Sequence, residues 1–258
     1  MKYALVNGIR KEASPKTEGL CPCCKSEVRS YCGPEKVNHW KHKALQDCDN
    51  WYERETEWHR EWKNNFDSEY QEIVKLDPEN GEKHIADIYL DYKDLVIEIQ
   101  HSPIKINEIE SRENFYKKMI WIIDLIPYQK NIKLFSDIKS NFGEEVEYAW
   151  AKREDAKYRK LKKEGRLKEA EEVRKDNSGW KYIDYFEKKY FPYTAKNDYY
   201  LMVWKYQHKR WDEAKTPIFF DMGGDSIYYL IESFKIGNGF IIKRFDKTDF
   251  LDHYKKVD

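Results

Sequence analysis

The sequence has no run approaching the roughly 18 apolar residues that a membrane-crossing helix needs, so it offers no helical span. It has no excess of either charge. Lys plus Arg and Asp plus Glu each number 47, so bulk electrostatics single out no partner. Beyond residue 50 it has no cysteine, which excludes a disulfide framework for most of the chain. It contains no G-x-x-x-x-G-K-[S/T] and no G-x-G-x-x-G, hence neither a P-loop nor a dinucleotide-binding turn, and it has no internal repeat. Met1 opens a polar, strand-like segment without a signal-peptide profile. These absences read as a cytoplasmic protein with no membrane contact.

What is present is dense charge and many aromatics, 36% and 16% of 258 residues. That mixture points to an ordered chain with modest cores and a surface where aromatic and charged side chains interleave. The length suits one large domain or a core with appendages. We divide it into a module over 1–50, a core over 51–130 and an extension over 131–258.

All five cysteines fall in the module, an odd and clustered set that argues for metal over disulfides. Lys2–Val6 reads as a strand. Cys21 and Cys24 then have C-x2-C spacing, His39 and His42 follow in NHWKH, and Cys48 comes next. Thiolates and imidazoles in this pattern suit tetrahedral zinc. Cys21 and Cys24 supply two ligands. Spacing leaves the other two open among His39, His42 and Cys48, with Cys23 and Cys32 spare. Four protein ligands leave no open position, so the expected zinc is structural. It stands in for a core that fifty polar residues cannot build, contributing about 10 kcal/mol to folding.

The core is organised around His84–Ser102, HIADIYLDYKDLVIEIQHS, which reads as two strands joined by the polar turn Asp91–Asp94. Alternation puts Ala86, Ile88 and Leu90 on one face of the first strand and Leu95, Ile97 and Ile99 on one face of the second. Pairing Leu90 with Leu95 and Ile88 with Ile97 buries both sets together, and a one-residue slip would turn one set outward. The same register sets Asp87 directly opposite Glu98. Opposed carboxylates repel unless positive charge sits between them. A hard divalent cation with oxygen ligands suits that place, and a solvated polar face with two unrelated acids is the plainer alternative. His84 falls on the apolar face and reads as structural.

Upstream, Asn50 is placed to cap a helix from Trp51 to about Asn65, with Trp51, Trp58 and Trp62 on one stripe. Glu55 shares that stripe, and His59 and Lys63 follow one and two turns later. A glutamate among core-facing tryptophans is costly unless paired or metal-bound. It is therefore either a third acid directed at Asp87 and Glu98 or half of a surface pair with His59 or Lys63. A strand around Tyr70–Leu76 precedes the hairpin. A helix over Asn107–Lys118 carries Ile109, Arg112 and Tyr116 on one face, and MIWIIDLI at 119–126 reads as a strand buried on both faces.

That order of helix, three strands, helix and strand, with acids on the first helix and two central strands, resembles the PD-(D/E)XK nuclease fold. More closely, residues 21–125 resemble the competence protein CoiA-like family. The likeness rests on CPCC, NHWKH, Cys48, ETEWH with Lys63, IAD, IEIQHSPI, Arg112, Tyr116 and WII, in that order. It implies an α/β (α+β) chain: a restriction-endonuclease-like αβββαβ core, a small N-terminal zinc-binding module and a mixed helical and β C-terminal extension. It puts Glu55, Asp87, Glu98 and Gln100 at the active-site positions. Glutamine stands where the commoner nuclease signature has lysine, which leaves more of the charge stabilisation to the metal.

In the extension, Ala151–Lys175 holds eleven Lys/Arg against six Asp/Glu, a net of +5. It reads as one or two exposed helices interrupted near Gly165, either a grip on phosphates or a solvated arm. From Trp180 to Trp211 aromatics and lysines interleave, Tyr199, Tyr200 and Trp204 among them. Bases of an unpaired strand stack on such rings, and core packing is the simpler use. Thr216–Asp221, Ser226–Ile231 and Phe240–Phe245 read as strands separated by glycine turns.

With the resemblance, these observations lead us to expect a nuclease that hydrolyses DNA phosphodiester bonds. Mg²⁺ or Mn²⁺ is expected on Asp87 and Glu98, with Glu55 as a further ligand directly or through water. Gln100 would position the attacking water or a phosphate oxygen, and His59 and Lys63 would touch the phosphate. Two other expectations stand beside this one: a non-cleaving DNA-binding accessory protein of recombination, and a nuclease effector of defence against foreign DNA.

Overall fold

A computed structural model describes residues 1–34, 36–44, 48–51, 55–142, 148–175, 197–205, 211–234 and 239–255. The chain is a mixed α+β protein that separates into two compact units. One comprises Met1–Asp124 with Ala214–Ile218 and Leu251–Asp258; the other comprises Leu125–Glu213 with Phe219–Phe250. Among the described residues no helix is long and apolar enough to cross a membrane.

The first unit opens with β1 (Tyr3–Val6), β2 (Ile9–Glu12), β3 (Glu18–Leu20), β4 (Glu27–Gly33) and β5 (Lys36–His42). They form an antiparallel sheet in the order β2-β1-β3-β4-β5. β3 passes so close to β1 that a Cβ on Gly19 would stand 2.8 Å from the Leu5 carbonyl oxygen, which is why glycine is needed there. The core of this sheet is small: Ala4, Val28, Trp40, Cys21 and Cys23 are its buried centre, with Val74 and Ile85 packed against it.

Then come α1 (Glu57–Asn64), β6 (Gln71–Leu76), β7 (Lys83–Leu90), β8 (Leu95–Gln100), α2 (Ile106–Tyr116) and β9 (Met119–Asp124). Within this unit the strands lie in the order β9-β8-β7-β6. β6, β7 and β8 are antiparallel neighbours, whereas β9 runs parallel to β8 with α2 as the crossover that a parallel pair requires. The hairpin register is Leu90 with Leu95 and Ile88 with Ile97, as the apolar alternation demands. On β7 alternate residues His84, Ala86, Ile88 and Leu90 are buried. β8 and β9 are buried at every position, so the polar face expected on β8 is not solvated. Ile109, Arg112, Glu113 and Tyr116 form the inward face of α2.

The first helix departs from expectation. It starts at Glu57, not Trp51, because Thr56 takes an extended conformation and its hydroxyl accepts the His59 N–H. Residues 52–54 lie outside the described chain. Trp51 is therefore off the helix, and Glu55 precedes it. The tryptophan stripe reduces to Trp58 and Trp62.

The second unit carries β10 (Ile132–Phe135), α3 (Ile138–Phe142), α4 (Tyr148–Lys163), α5 (Leu167–Lys175), β11 (Tyr199–Trp204), β12 (Ile218–Asp221), β13 (Ser226–Phe234) and β14 (Gly239–Asp246), and α6 (Lys247–Tyr254) follows β14. Its strands lie antiparallel in the order β10-β11-β14-β13-β12. α4 and α5 break at Gly165, whose φ of +74° suits the left-handed turn ending a helix. Tyr199 and Trp204 are buried, so packing occupies these rings. Most of the Trp180–Trp211 stretch lies outside the described residues.

Replacing Ile97, which is fully buried on β8, by alanine is expected to lower the unfolding free energy by about 2–5 kcal/mol. The measurement is the urea midpoint followed by circular dichroism.

Candidate functional site

Beyond Ile88 and Ile97, the pairing between β7 and β8 gives way to carboxylates. The Asp87 N–H donates to Glu98 Oε1 at 3.3 Å, and the Ile99 N–H donates to Asp87 Oδ2 at 3.0 Å. Each acid thus satisfies a backbone donor on or beside its neighbour's strand, in a region where an unpaired buried N–H would be costly. Glu98 is 3% exposed and lines the same cavity as Asp87, Glu55, His59, Lys63, Glu72 and Arg112.

Cations compensate these acids one by one. Lys63, from the last turn of α1, places its Nζ 3.0 Å from Asp87 Oδ1, 3.0 Å from Glu72 Oε1 and 3.4 Å from Glu55 Oε1. A charge pair about 4 Å apart is worth about 4 kcal/mol at an effective dielectric near 20. Three such partners offset the desolvation of the ammonium, while each carboxylate carries a desolvation cost of its own. Burial lowers the Lys63 pKa, but the Asp87, Glu72 and Glu55 charges prevail and hold it well above its usual value. His59 Nε2 stands 3.0 Å from Asp87 Oδ1 without hydrogen-bond alignment. The other oxygen of Glu55 is held by Arg60. Arg112 Nη1 donates to Glu98 Oε2 at 2.8 Å.

The two opposed acids separate in acidity. Burial pushes Asp87 up, but His59 and Lys63 more than reverse this and hold it well below the usual carboxylate range. Burial and the Asp87 charge push Glu98 up to about 8, against the pull of Arg112. Asp87 is thus the stronger acid of the pair and Glu98 the weaker, as happens when cations stabilise the charge on one of two neighbouring carboxylates and burial disfavours it on the other.

Asp87, Glu98, Glu55, His59 and Lys63 are thus brought together. Gln100 is not among the cavity-lining residues; it is buried, and its amide donates to the Ser102 carbonyl at 2.9 Å. The Glu55–Lys63 contact is a buried one, not a surface pair. His84 lies on the apolar face of β7, between Asp49 Oδ1 and Glu82 Oε1, each 2.9 Å away.

Glu72 is the member that sequence reasoning missed. It accepts the Lys2 N–H at 2.7 and 2.8 Å, the Tyr3 N–H at 3.0 Å and the Lys63 ammonium. Burial opposes its ionisation, but Lys63 and these amides lower its pKa to about 2. Its φ of +46° is left-handed, a costly conformation for glutamate that its partners must offset. Its position at the start of β6 reads as an ordinary strand residue, so no local pattern marks it.

In the module, Cys21, Cys24, His42 and Cys48 place ligand atoms within 4.8 Å of one another, a cluster able to hold a metal such as zinc. Cys21 Sγ is 3.6 Å from Cys48 Sγ, and Cys24 Sγ is 3.3 Å from His42 Nε2. The edges of a tetrahedron with bonds of about 2.0–2.3 Å are of roughly this length. His39 is excluded because three residues along a strand reverse the side chain's face; it stacks on Tyr31, its Nδ1 2.9 Å from the Val37 carbonyl oxygen. Cys23 and Cys32 lie outside the cluster. Among the described residues this is the one group of three or more His, Cys, Asp or Glu gathered so closely, so Glu55, Asp87 and Glu98 do not form a second.

A family model described as "Domain of unknown function (DUF6035)" matches residues 46–157. The match takes in Cys48 and the acids of the cavity but not Cys21, Cys24 or His42. No curated protein and no solved structure gives a match.

The purified chain is expected to carry one equivalent of zinc by metal analysis. His42→Ala should lose it and His39→Ala should retain it.

Proposed function

We propose that the chain is a metal-dependent nuclease that hydrolyses DNA phosphodiester bonds, with a restriction-endonuclease-like core similar to that of CoiA-like proteins. The observation that carries this reading is the pairing of half-buried Asp87 with buried Glu98 on adjacent strands within the order α1-β6-β7-β8-α2-β9. Buried acids of opposed acidity in a cavity mark sites of chemistry more often than of packing.

The donors are of the kind a hard divalent ion takes: Asp87 and Glu98 line one cavity, and the rise of the Glu98 pKa to about 8, from burial and the Asp87 charge, marks a place where positive charge is favoured. Mg²⁺ or Mn²⁺ bound by Asp87 and Glu98 would supply an activated water and offset charge on the phosphate. Glu55 would be a further ligand, directly or through water. Lys63 provides from α1 the ammonium that Gln100 does not provide from β8. Its Nζ is held beside Asp87 by Glu72, so it is aimed before substrate arrives and can receive a phosphate oxygen. His59 shares that role, and Arg112 holds Glu98 in place. Gln100, whose amide donates to the Ser102 carbonyl outside the cavity lining, is left without the water-positioning role its sequence position suggested. Zinc held by Cys21, Cys24, His42 and Cys48 would be structural, since four protein ligands leave no open position.

A specific observation favours a second reading, a DNA-binding accessory protein that does not cut. Lys63 and Arg112 already compensate Asp87 and Glu98, and a site balanced in this way needs no cation.

Purified protein incubated with linear duplex and single-stranded DNA and Mn²⁺ or Mg²⁺ is expected to cleave. Asp87→Asn and Glu98→Ala should each reduce the rate by on the order of a hundredfold or more. Unchanged cleavage in both variants removes this pair from the mechanism. DNA binding without calorimetric uptake of Mn²⁺ or Mg²⁺ selects the second reading.

A further inference from the structure

The gap between β7 and β8 involves a third carboxylate. Asp87 N–H is taken by Glu98 and Ile99 N–H by Asp87, but Ile85 N–H, two residues before Asp87, donates to Asp49 Oδ2 at 2.9 Å. Asp49 belongs to neither strand. It directly follows Cys48, a member of the metal-binding cluster.

Asp49 reaches the other side of the gap as well. Its Oδ1 accepts the Trp51 N–H at 3.0 Å and stands 2.9 Å from His84 Nδ1. The Trp51 ring stacks on His84. The Trp51 carbonyl accepts Arg112 Nη2 at 2.8 Å, while Arg112 Nη1 holds Glu98. One buried carboxylate is therefore linked to the strand of Asp87 through Ile85 and to Glu98 through Trp51 and Arg112. Only two residues separate Cys48 from Trp51, and chain advancing at most about 3.6 Å per residue leaves little slack.

We infer that Asp49 is a positioning residue through which the cysteine–histidine cluster sets the spacing of Asp87 and Glu98. A loaded cluster fixes Cys48. Asp49 then holds Ile85 and His84 on β7, and the Trp51 carbonyl completes the acceptors of Arg112. An empty cluster releases Cys48, and Asp49 loses its fixed origin. The inference rests on the nuclease reading for what the acid pair does, but not for the coupling itself.

The test uses the full chain with Asp49→Ala and the near-isosteric Asp49→Asn. Loading of the cluster is verified in each by metal analysis and by the thiolate charge-transfer absorption of the Co²⁺-substituted form. The first readout is the side-chain ¹⁵N resonance of Arg112, assigned by its loss in Arg112→Lys. Zinc removal by chelator from the unmutated chain is expected to shift it. Asp49→Ala with the cluster loaded should shift it in the same direction, and Asp49→Asn by less. The second readout is Mn²⁺ affinity at the acid pair, expected to weaken roughly tenfold in Asp49→Ala, as the loss of an outer-sphere partner does. If the unmutated chain takes up no Mn²⁺, the nuclease reading fails while the Arg112 resonance still decides the coupling. An Arg112 resonance that stays in place in loaded Asp49→Ala overturns the inference and leaves Asp49 as a local turn staple. So does zinc removal that shifts it equally with and without Asp49. If Asp49→Ala does not fold, Asp49→Asn is judged by the same criteria.

Discussion

The parting of β7 and β8 beyond Ile88 and Ile97 is the constraint on which the site depends. A sheet that opens inside a protein exposes backbone donors that water cannot reach, and each must find an acceptor or cost free energy. Here the acceptors are ionisable: Asp87, Glu98 and Asp49 take the N–H groups of Ile99, Asp87 and Ile85. Using carboxylates creates a second requirement, because buried negative charge must itself be compensated. Lys63, His59 and Arg112 meet that requirement, and each then calls for further partners. Lys63 needs Glu72, Glu72 takes a left-handed backbone to reach it, and Arg112 draws on Glu108 and the Trp51 carbonyl.

Stability alone does not explain such a network. Buried ion pairs recover little more than their desolvation cost, and apolar side chains of similar size commonly serve a fold as well or better. β8 and β9 are lined mostly with Ile, Val, Leu, Met and Trp, with Gln100 and Asp124 as further buried polar residues at their ends. Glu98, whose pKa is pushed up to about 8 by burial and by the Asp87 charge, is a cost of the arrangement and not a gain from it. Under the proposed nuclease function the cluster is a set of groups held in place for a ligand that carries charge.

The sequence exposed this site unevenly, and geometry explains the difference. The hairpin register was legible because Ala86, Ile88, Leu90, Leu95, Ile97 and Ile99 leave only one pairing that buries them all. Once that pairing is made, Asp87 must face Glu98. The beginning of α1 was misread because Asn50 and Thr56 are both capping residues, and only tertiary placement of Trp51 against His84 and Tyr116 decides between them. His39 could have been excluded from the cluster had NHWKH been read as a strand, since His39 and His42 then point to opposite faces. Glu72 was not legible. Its role comes from Lys2 and Tyr3 at the start of the chain, about seventy residues away, which supply the two amides it accepts.

The metal cluster belongs to the same logic as the acids. The five-stranded sheet of the module buries only a handful of apolar side chains, too few to fix a segment to within fractions of an ångström. Four ligands on one ion can do so, because metal–ligand bonds tolerate deviations of only about 0.2 Å. A carboxylate meant to plug the gap between two strands needs an origin of that rigidity. Placing Asp49 next to Cys48 supplies it with no intervening residue. A module too small to have a strong core of its own can in this way define the geometry of the neighbouring sheet more tightly than a loop held by hydrogen bonds alone.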